Sequence, residues 1–336
     1  MKRSVIGLAV GAALGLVGAS EASDVVNINP DAAGGDPTIA VFSLDWTVGN
    51  AIATPTVAGG NVTTPAVDDV FQIYAHARLG NFLDGNGDPI GGLQLNGTTS
   101  ATNYEWTFVT GFREVVTGVV FPGGVNGPGA GITTLTTGGG QNFFEIWYDP
   151  TPDANNLAGT GFNDGIRILA GTVDQGGPSD FTRNLASANP GGPGNNLDQF
   201  GADNYPAIDS INGGGNLSVI VSVDFLDPNF FVDSIDTLVL DFTTEQRLAY
   251  NTQNPSALFV NAPGGVAPIQ PGATVASVST CNGCTQAFDL VQGGPNEVFQ
   301  ADASNSFQRV PEPATLSLMG LGLAGLGFAG RRRKVS

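Results

Sequence analysis

Asp84-Gly85-Asn86-Gly87-Asp88 is the stretch whose residue types most directly imply chemistry. Oxygen-bearing side chains at D-x-N-x-D spacing converge on a hard cation in the first half of a calcium loop. The stretch then leaves the EF-hand pattern: Pro89 stands where the glycine belongs, and Leu95 where the bidentate glutamate belongs. Asp84, Asn86 and Asp88 are therefore expected either to hold calcium in a loop of another kind or to form a plain Asp/Gly hairpin turn. A second oxygen-rich run, Asp149 to Asn156 followed by Phe162-Asn163-Asp164-Gly165, carries the same two readings.

Acid–base chemistry has fewer supports. Glu105, Glu114 and Glu145 lie near Trp106 and Trp147, and a glycosidase needs two carboxylates facing each other across about 5–10 Å. In a chain with 30 acidic residues some such juxtaposition arises by chance, so no catalytic residue is assigned. His76 is the one histidine; between Tyr74 and Arg78 in an alternating run, it is expected to be structural or superficial. No G-x-S-x-G turn occurs, which removes the α/β-hydrolase nucleophile elbow. Zinc would need three or four nitrogen or sulfur ligands, and His76 stands far from the two cysteines. The chain reads as a non-enzyme.

The elements that must position these residues are strands. In Asp69–Leu79, Phe71, Ile73, Ala75, Ala77 and Leu79 fall on one face, and Gln72, Tyr74, His76 and Arg78 on the other. Similar β-rich runs occur at 38–46, 104–110, 142–149, 165–173, 217–226 and 237–243, with weaker ones at 256–260, 274–279 and 286–291. The threonine-rich 132–140 reads as a loop or edge strand. Gly/Pro/Asn stretches such as 121–131 and 186–196 separate them. The expected fold is all-β, an antiparallel β-sandwich or jelly-roll-like domain over residues 24–310.

Both ends differ from this middle. Lys2 and Arg3 precede the apolar run Val5–Val17 and then small residues, the layout of a signal peptide occupying residues 1–23. At the other end, Ala314–Gly330 is uncharged, about 25 Å of helix and a marginal membrane span. Arg331, Arg332, Arg333 and Lys334 hold that end on the cytoplasmic side. Pro311-Glu312-Pro313 just upstream stays extended, because prolines lack amide donors and disfavour helix before them.

The Pro311-Glu312-Pro313 motif, the short Gly/Leu-rich helix and the basic cluster over residues 311–336 together resemble the PEP-CTERM sorting signal of Gram-negative exported proteins. The resemblance implies cleavage by an exosortase, a membrane protease, a transient stay in the inner membrane, and travel with exopolysaccharide to the cell surface or extracellular matrix. FSLDWTVGNAI (42–52), FQIYAHARL, YEWTFVTGFREVVTG and GTGFNDGIRILAGTV (159–173) are similar to the flocculation-associated branch of such proteins. That implies a role in biofilm or cell aggregation and carries over no functional residue.

Export sets the redox compartment. Cys281-Asn282-Gly283-Cys284 is the one cysteine pair, and Asn-Gly is a favoured hairpin turn, so a small disulfide clamping that turn is expected. Charge sets the partners. Between residues 24 and 310 remain 28 of the 30 acidic residues and six of the 12 cations, all arginine, a net charge of −22. Such a surface repels nucleic acid and collects cations. The functional expectation is an exported structural or adhesive matrix protein associated with exopolysaccharide. A secreted carbohydrate-binding module or polysaccharide-acting hydrolase is the alternative.

Overall fold

Alternating side chains dictate the architecture. The computed structural model describes residues 24–32, 35–57, 60, 62, 65–98, 103–120, 130–174, 176–183, 200–202, 213–246, 250–264, 268–269 and 296–308. On β4 (Val70–Leu83), Phe71, Ile73, Ala75, Ala77 and Leu79 all enter the main core, as the period of two requires. The expected all-β class holds, with fourteen strands in the described residues.

A short pair, β1 (Val26–Ile28) with β2 (Ile39–Val41), precedes the principal strands. These are β3 (Ser43–Pro55), β4, β5 (Glu105–Val120), β6 (Ala130–Thr137), β7 (Phe143–Asp149), β8 (Ile166–Val173), β9 (Gly176–Arg183), β10 (Gly213–Leu226), β11 (Thr237–Gln246) and β14 (Glu297–Gln308). A second short pair joins β12 (Phe259–Val260) to β13 (Pro268–Ile269).

Every pairing in the large sheet is antiparallel. Along one edge of β5, β7 takes residues 105–111 and β6 takes 113–120. Along one edge of β10, β9 takes 213–216 and β8 takes 221–226. β6 and β7 thus run end to end opposite β9 and β8. The other edge of β10 pairs with β11, β11 with β14, and β14 with β3. Pairing therefore continues around the whole sheet, so its halves face each other as in a sandwich while both margins are hydrogen-bonded. Continuous pairing removes the exposed edges that template aggregation.

The enclosed core has two unlike ends. At one, Trp46 meets Phe108 edge-on at 4.9 Å and Phe82 meets Trp106 edge-on at 5.1 Å between ring centres, while Phe144 stacks on Phe108 at 5.7 Å. Their indole donors are satisfied: Trp46 Nε1 donates to Asn305 Oδ1 and Trp106 Nε1 to the Pro30 carbonyl, each at 2.8 Å. At the other end Ala51, Ala53, Ala75 and Ala301 are too small to meet, and a partly open cavity of about 100 Å³ remains. Glu114 and Glu297 line it among apolar neighbours.

The polar face of β4 is not the solvent face. Residues 250–264 fold across the outside of the sheet, where Tyr250, Ala257, Phe259 and Val260 join Ile52, Tyr74, Val109, Phe143, Trp147, Phe162 and Val298 in a second apolar cluster. The opposite outer surface is polar, with Ser218, Asp241, Asp302 and Ser304 exposed on β10, β11 and β14. Apolar inside and polar outside is the inverse of a lipid-spanning barrel. No helix of the described residues is long and apolar enough to cross a membrane.

Two expected weak strands, 274–279 and 286–291, lie outside the described residues, as do the proposed signal peptide and the C-terminal segment. The threonine-rich 132–140 contributes most of β6, paired on both sides.

Candidate functional site

Residue types on the covered outer face suggest catalysis until their geometry is considered. His76 Nε2 lies 2.8 Å from Ser256 Oγ, and both side chains are buried. The Ser256 hydroxyl donates to the Asn156 carbonyl. With that proton committed, Nε2 must carry the imidazole proton and donate to Oγ. A nucleophilic serine needs the reverse arrangement, with the imidazole accepting. His76 is stacked on Phe162 at 4.1 Å and tilted against Phe259 at 5.0 Å. Burial holds its pKa down to about 3. The residue is a neutral spacer that pins residues 250–264 to the sheet, aided by Asn50 Oδ1, which accepts from the Ser256 amide at 3.0 Å.

The three glutamates singled out for sugar chemistry do not converge. Glu114 points inward and accepts from Thr134 Oγ1 at 2.8 Å. Glu105 and Glu145 point outward on adjacent strands. Glu105 is register-opposite Asp149 and Glu145 opposite Val109, four residues apart and so about 13 Å along the sheet. That exceeds the span of a glycosidase pair. Glu145, 1% exposed, accepts from Arg167 at 2.6 Å and from the Gly264 amide at 2.8 Å. All three tryptophans are buried, so none offers a face to a sugar; Phe200 and Phe225 are exposed instead.

Asp84, Asn86 and Asp88 sit in the tight turn that ends β4. Asp84 Oδ1 accepts from the amides of Asn86 at 2.8 Å and Asp88 at 3.0 Å, while its Oδ2 accepts from Asn86 Nδ2. These bonds hold the Asp84 carboxyl below its usual range. Gly87 takes φ +82°, a left-handed conformation suited to glycine. The side chains serve the turn itself, as Asx residues do.

The second oxygen-rich run behaves differently. Asp149, from the end of β7, and Asp153 and Asp164, from the loop before β8, bring one carboxylate oxygen each within 4.8 Å of one another. Partial burial and the charges of Asp164 and Asp149 push the Asp153 carboxyl up. Glu105 adjoins this loop: its Oε1 accepts from the amides of Asp153 at 2.7 Å and Ala154 at 2.9 Å. Desolvation pushes Glu105 up, against those two bonds and the charge of Arg78. The sequence marks the run as oxygen-rich, but its spacing does not reveal that Glu105 stands beside it.

Cys281, Cys284, Pro311, Glu312, Pro313 and Arg331–Lys334 all lie outside the described residues. The C-terminal ones are nonetheless identified by comparison: residues 309–334 match the family model of the PEP-CTERM protein-sorting motif. The chain carries a PEP-CTERM sorting motif. A PEP-CTERM motif implies export, processing by an exosortase membrane protease and sorting toward the cell surface. Beyond this motif, no curated protein and no solved structure matches the chain.

Proposed function

We propose that this PEP-CTERM protein is a non-catalytic structural or adhesive component of the extracellular matrix or cell surface, associated with exopolysaccharide and acting in biofilm or flocculation. The observation that carries the reading is the sorting motif at residues 309–334 joined to a strongly acidic β-domain. A net charge of −22 over residues 24–310, without a lysine, favours bridging through divalent cations to acidic polysaccharide. Stacking on sugars falls to the exposed Phe200 and Phe225, since the tryptophans are buried.

The test compares cells with and without the gene for clumping, before and after removal of divalent cations. Loss of clumping on deletion, with the same loss on chelation, is the expected result. Clumping unchanged by both treatments overturns the reading. Hydrolysis of a polysaccharide panel, abolished on replacing Glu105, Glu114 or Glu145, would favour the hydrolase alternative. Glycan binding that leaves clumping untouched would favour a carbohydrate-binding module.

A further inference from the structure

We infer that the hollow end of the sheet is a binding site for a small amphipathic cation, an alkylammonium whose chain enters the cavity and whose charge meets Glu114 and Glu297. The strands supply the container. Around either half of the sheet the pairing passes through eight strands: β3, β4 and β5, then β6 and β9 in one half or β7 and β8 in the other, then β10, β11 and β14. A closed ring of about eight strands has an interior that side chains can just fill or that can hold one small ligand. Here the two cases divide between the ends: aromatic rings fill one, and a cavity of about 100 Å³ remains at the other.

The cavity follows from which residues point inward. Ala301 on β14, Ala51 and Ala53 on β3 and Ala75 on β4 give three adjacent strands a wall one methyl deep, flanked by Phe242 on β11 and Phe112 on β5. The lining residues of β4, β10 and β14 fall near the starts of those strands, which run in one direction. The cavity therefore sits at an end of the ring, where barrels commonly take ligands.

Alternation aims two acids into this space. Glu114 shares the inward face of β5 with Phe112 and Val116, and Glu297 shares that of β14 with Phe299 and Ala301. They are 9% and 5% exposed. Register sets Glu297 beside Ala53, Ala53 beside Ile73 and Ile73 beside Phe112, so the acids stand three strands apart and enter from different walls. Burying carboxylates among apolar groups is costly, and packing alone does not call for them. Among the described lining residues every ionisable group is an acid, so an entering cation meets negative charge where attraction is stronger than in water. Size limits the chain: an apolar cavity of about 150 Å³ holds benzene, so this one suits about four to six carbons. The site does not depend on the matrix role; clumping tests that role, and the following experiment tests only the site.

Hexylammonium chloride is titrated into the full chain with binding followed by ligand-observed NMR, and methylammonium, hexanol and hexanoate serve as comparisons. Saturable binding of hexylammonium is expected with a Kd of about 10⁻⁴–10⁻³ M, from burial of the chain. Hexanol, without the charge, should bind about tenfold more weakly, and methylammonium and hexanoate should not saturate. Ala75→Val, which narrows the cavity, should weaken hexylammonium and hexanol alike by about tenfold or more. Glu297→Gln and Glu114→Gln should each weaken hexylammonium about tenfold and leave hexanol unchanged. The ligand comparison in the parent needs no variant: absence of hexylammonium binding overturns the site, and so does equal binding of methylammonium, which would put the cation on the acidic surface. Affinity unchanged in a folded Ala75→Val variant also overturns it. Hexanol binding as tightly as hexylammonium, or both glutamine variants binding like the parent, overturns the role of the carboxylates.

Discussion

His76 Nε2 and Ser256 Oγ meet at 2.8 Å although they are 180 positions apart in the chain, and neither reaches solvent. Their bond joins the covering segment to the middle of β4. Because the histidine is buried uncharged, folding becomes linked to pH. Its folded pKa, about 3, lies below the ordinary value of 6.5, so between those limits the unfolded chain binds the extra proton. The stabilisation is complete above pH 6.5 and is lost as pH falls toward 3. Urea unfolding at pH 7.5 and 4.5 should show the parent losing about 2–3 kcal/mol more than His76→Gln, at roughly 1.4 kcal/mol per pH unit. Equal losses in both would remove His76 as the source.

Gly49 lies where β3 bulges against β4. A Cβ there would stand 2.2 Å from the His76 carbonyl oxygen and 2.6 Å from Ala77 Cβ. Backbone cannot yield as a flexible side-chain tip can, so Gly49→Ala should cost about 1–3 kcal/mol by denaturant unfolding. Gly35→Ala, with nothing within 4 Å of the added carbon, should stay within about 0.5 kcal/mol.

Glu145 depends on Arg167 for its charge partner, at 2.6 Å, with the arginine 37% exposed and the glutamate 1%. Arg167→Met should destabilise the fold by about 2–3 kcal/mol, because the carboxylate stays buried without its cation. Adding Glu145→Gln should recover part of that loss, while additive losses would show that the pair is not coupled.

The unlike ends of the core should respond oppositely to added methyl groups. Ala75 lines the cavity, and Ala75→Val should raise stability by about 0.5–1 kcal/mol. Ala77, inward on the same strand and 1% exposed, packs against the β3 bulge, so Ala77→Val should cost about 1–3 kcal/mol. Thermal unfolding of the two single variants distinguishes these signs.

Much of the fold was legible in the chain itself. Period-two alternation placed β4, β5, β7, β8, β10 and β11, because a half-buried strand must present apolar residues at every second position. Two strands of the large sheet escaped it. Along β14 the inward residues include Ala301 and Ala303, too small to give a hydrophobic signal, and β9 begins with Gly176-Gly177-Pro178, residues that ordinarily mark a turn. The sorting motif was also legible, since its proline pair, apolar run and terminal cations are local signals that need no fold.

The meaning of the polar residues was decided only in three dimensions. Alternation put His76 on the polar face of its strand, yet residues from beyond position 250 cover that face. Three glutamates looked equivalent in the chain, and register sends one inward and separates the other two. Of two oxygen-rich runs, one spends its carboxylate on its own turn amides, while the other gathers three carboxylates near the buried Glu105. Period and composition depend on neighbours in sequence, so the chain alone sets them. Burial and charge convergence depend on which distant segments fold against each other, and tertiary structure alone sets those.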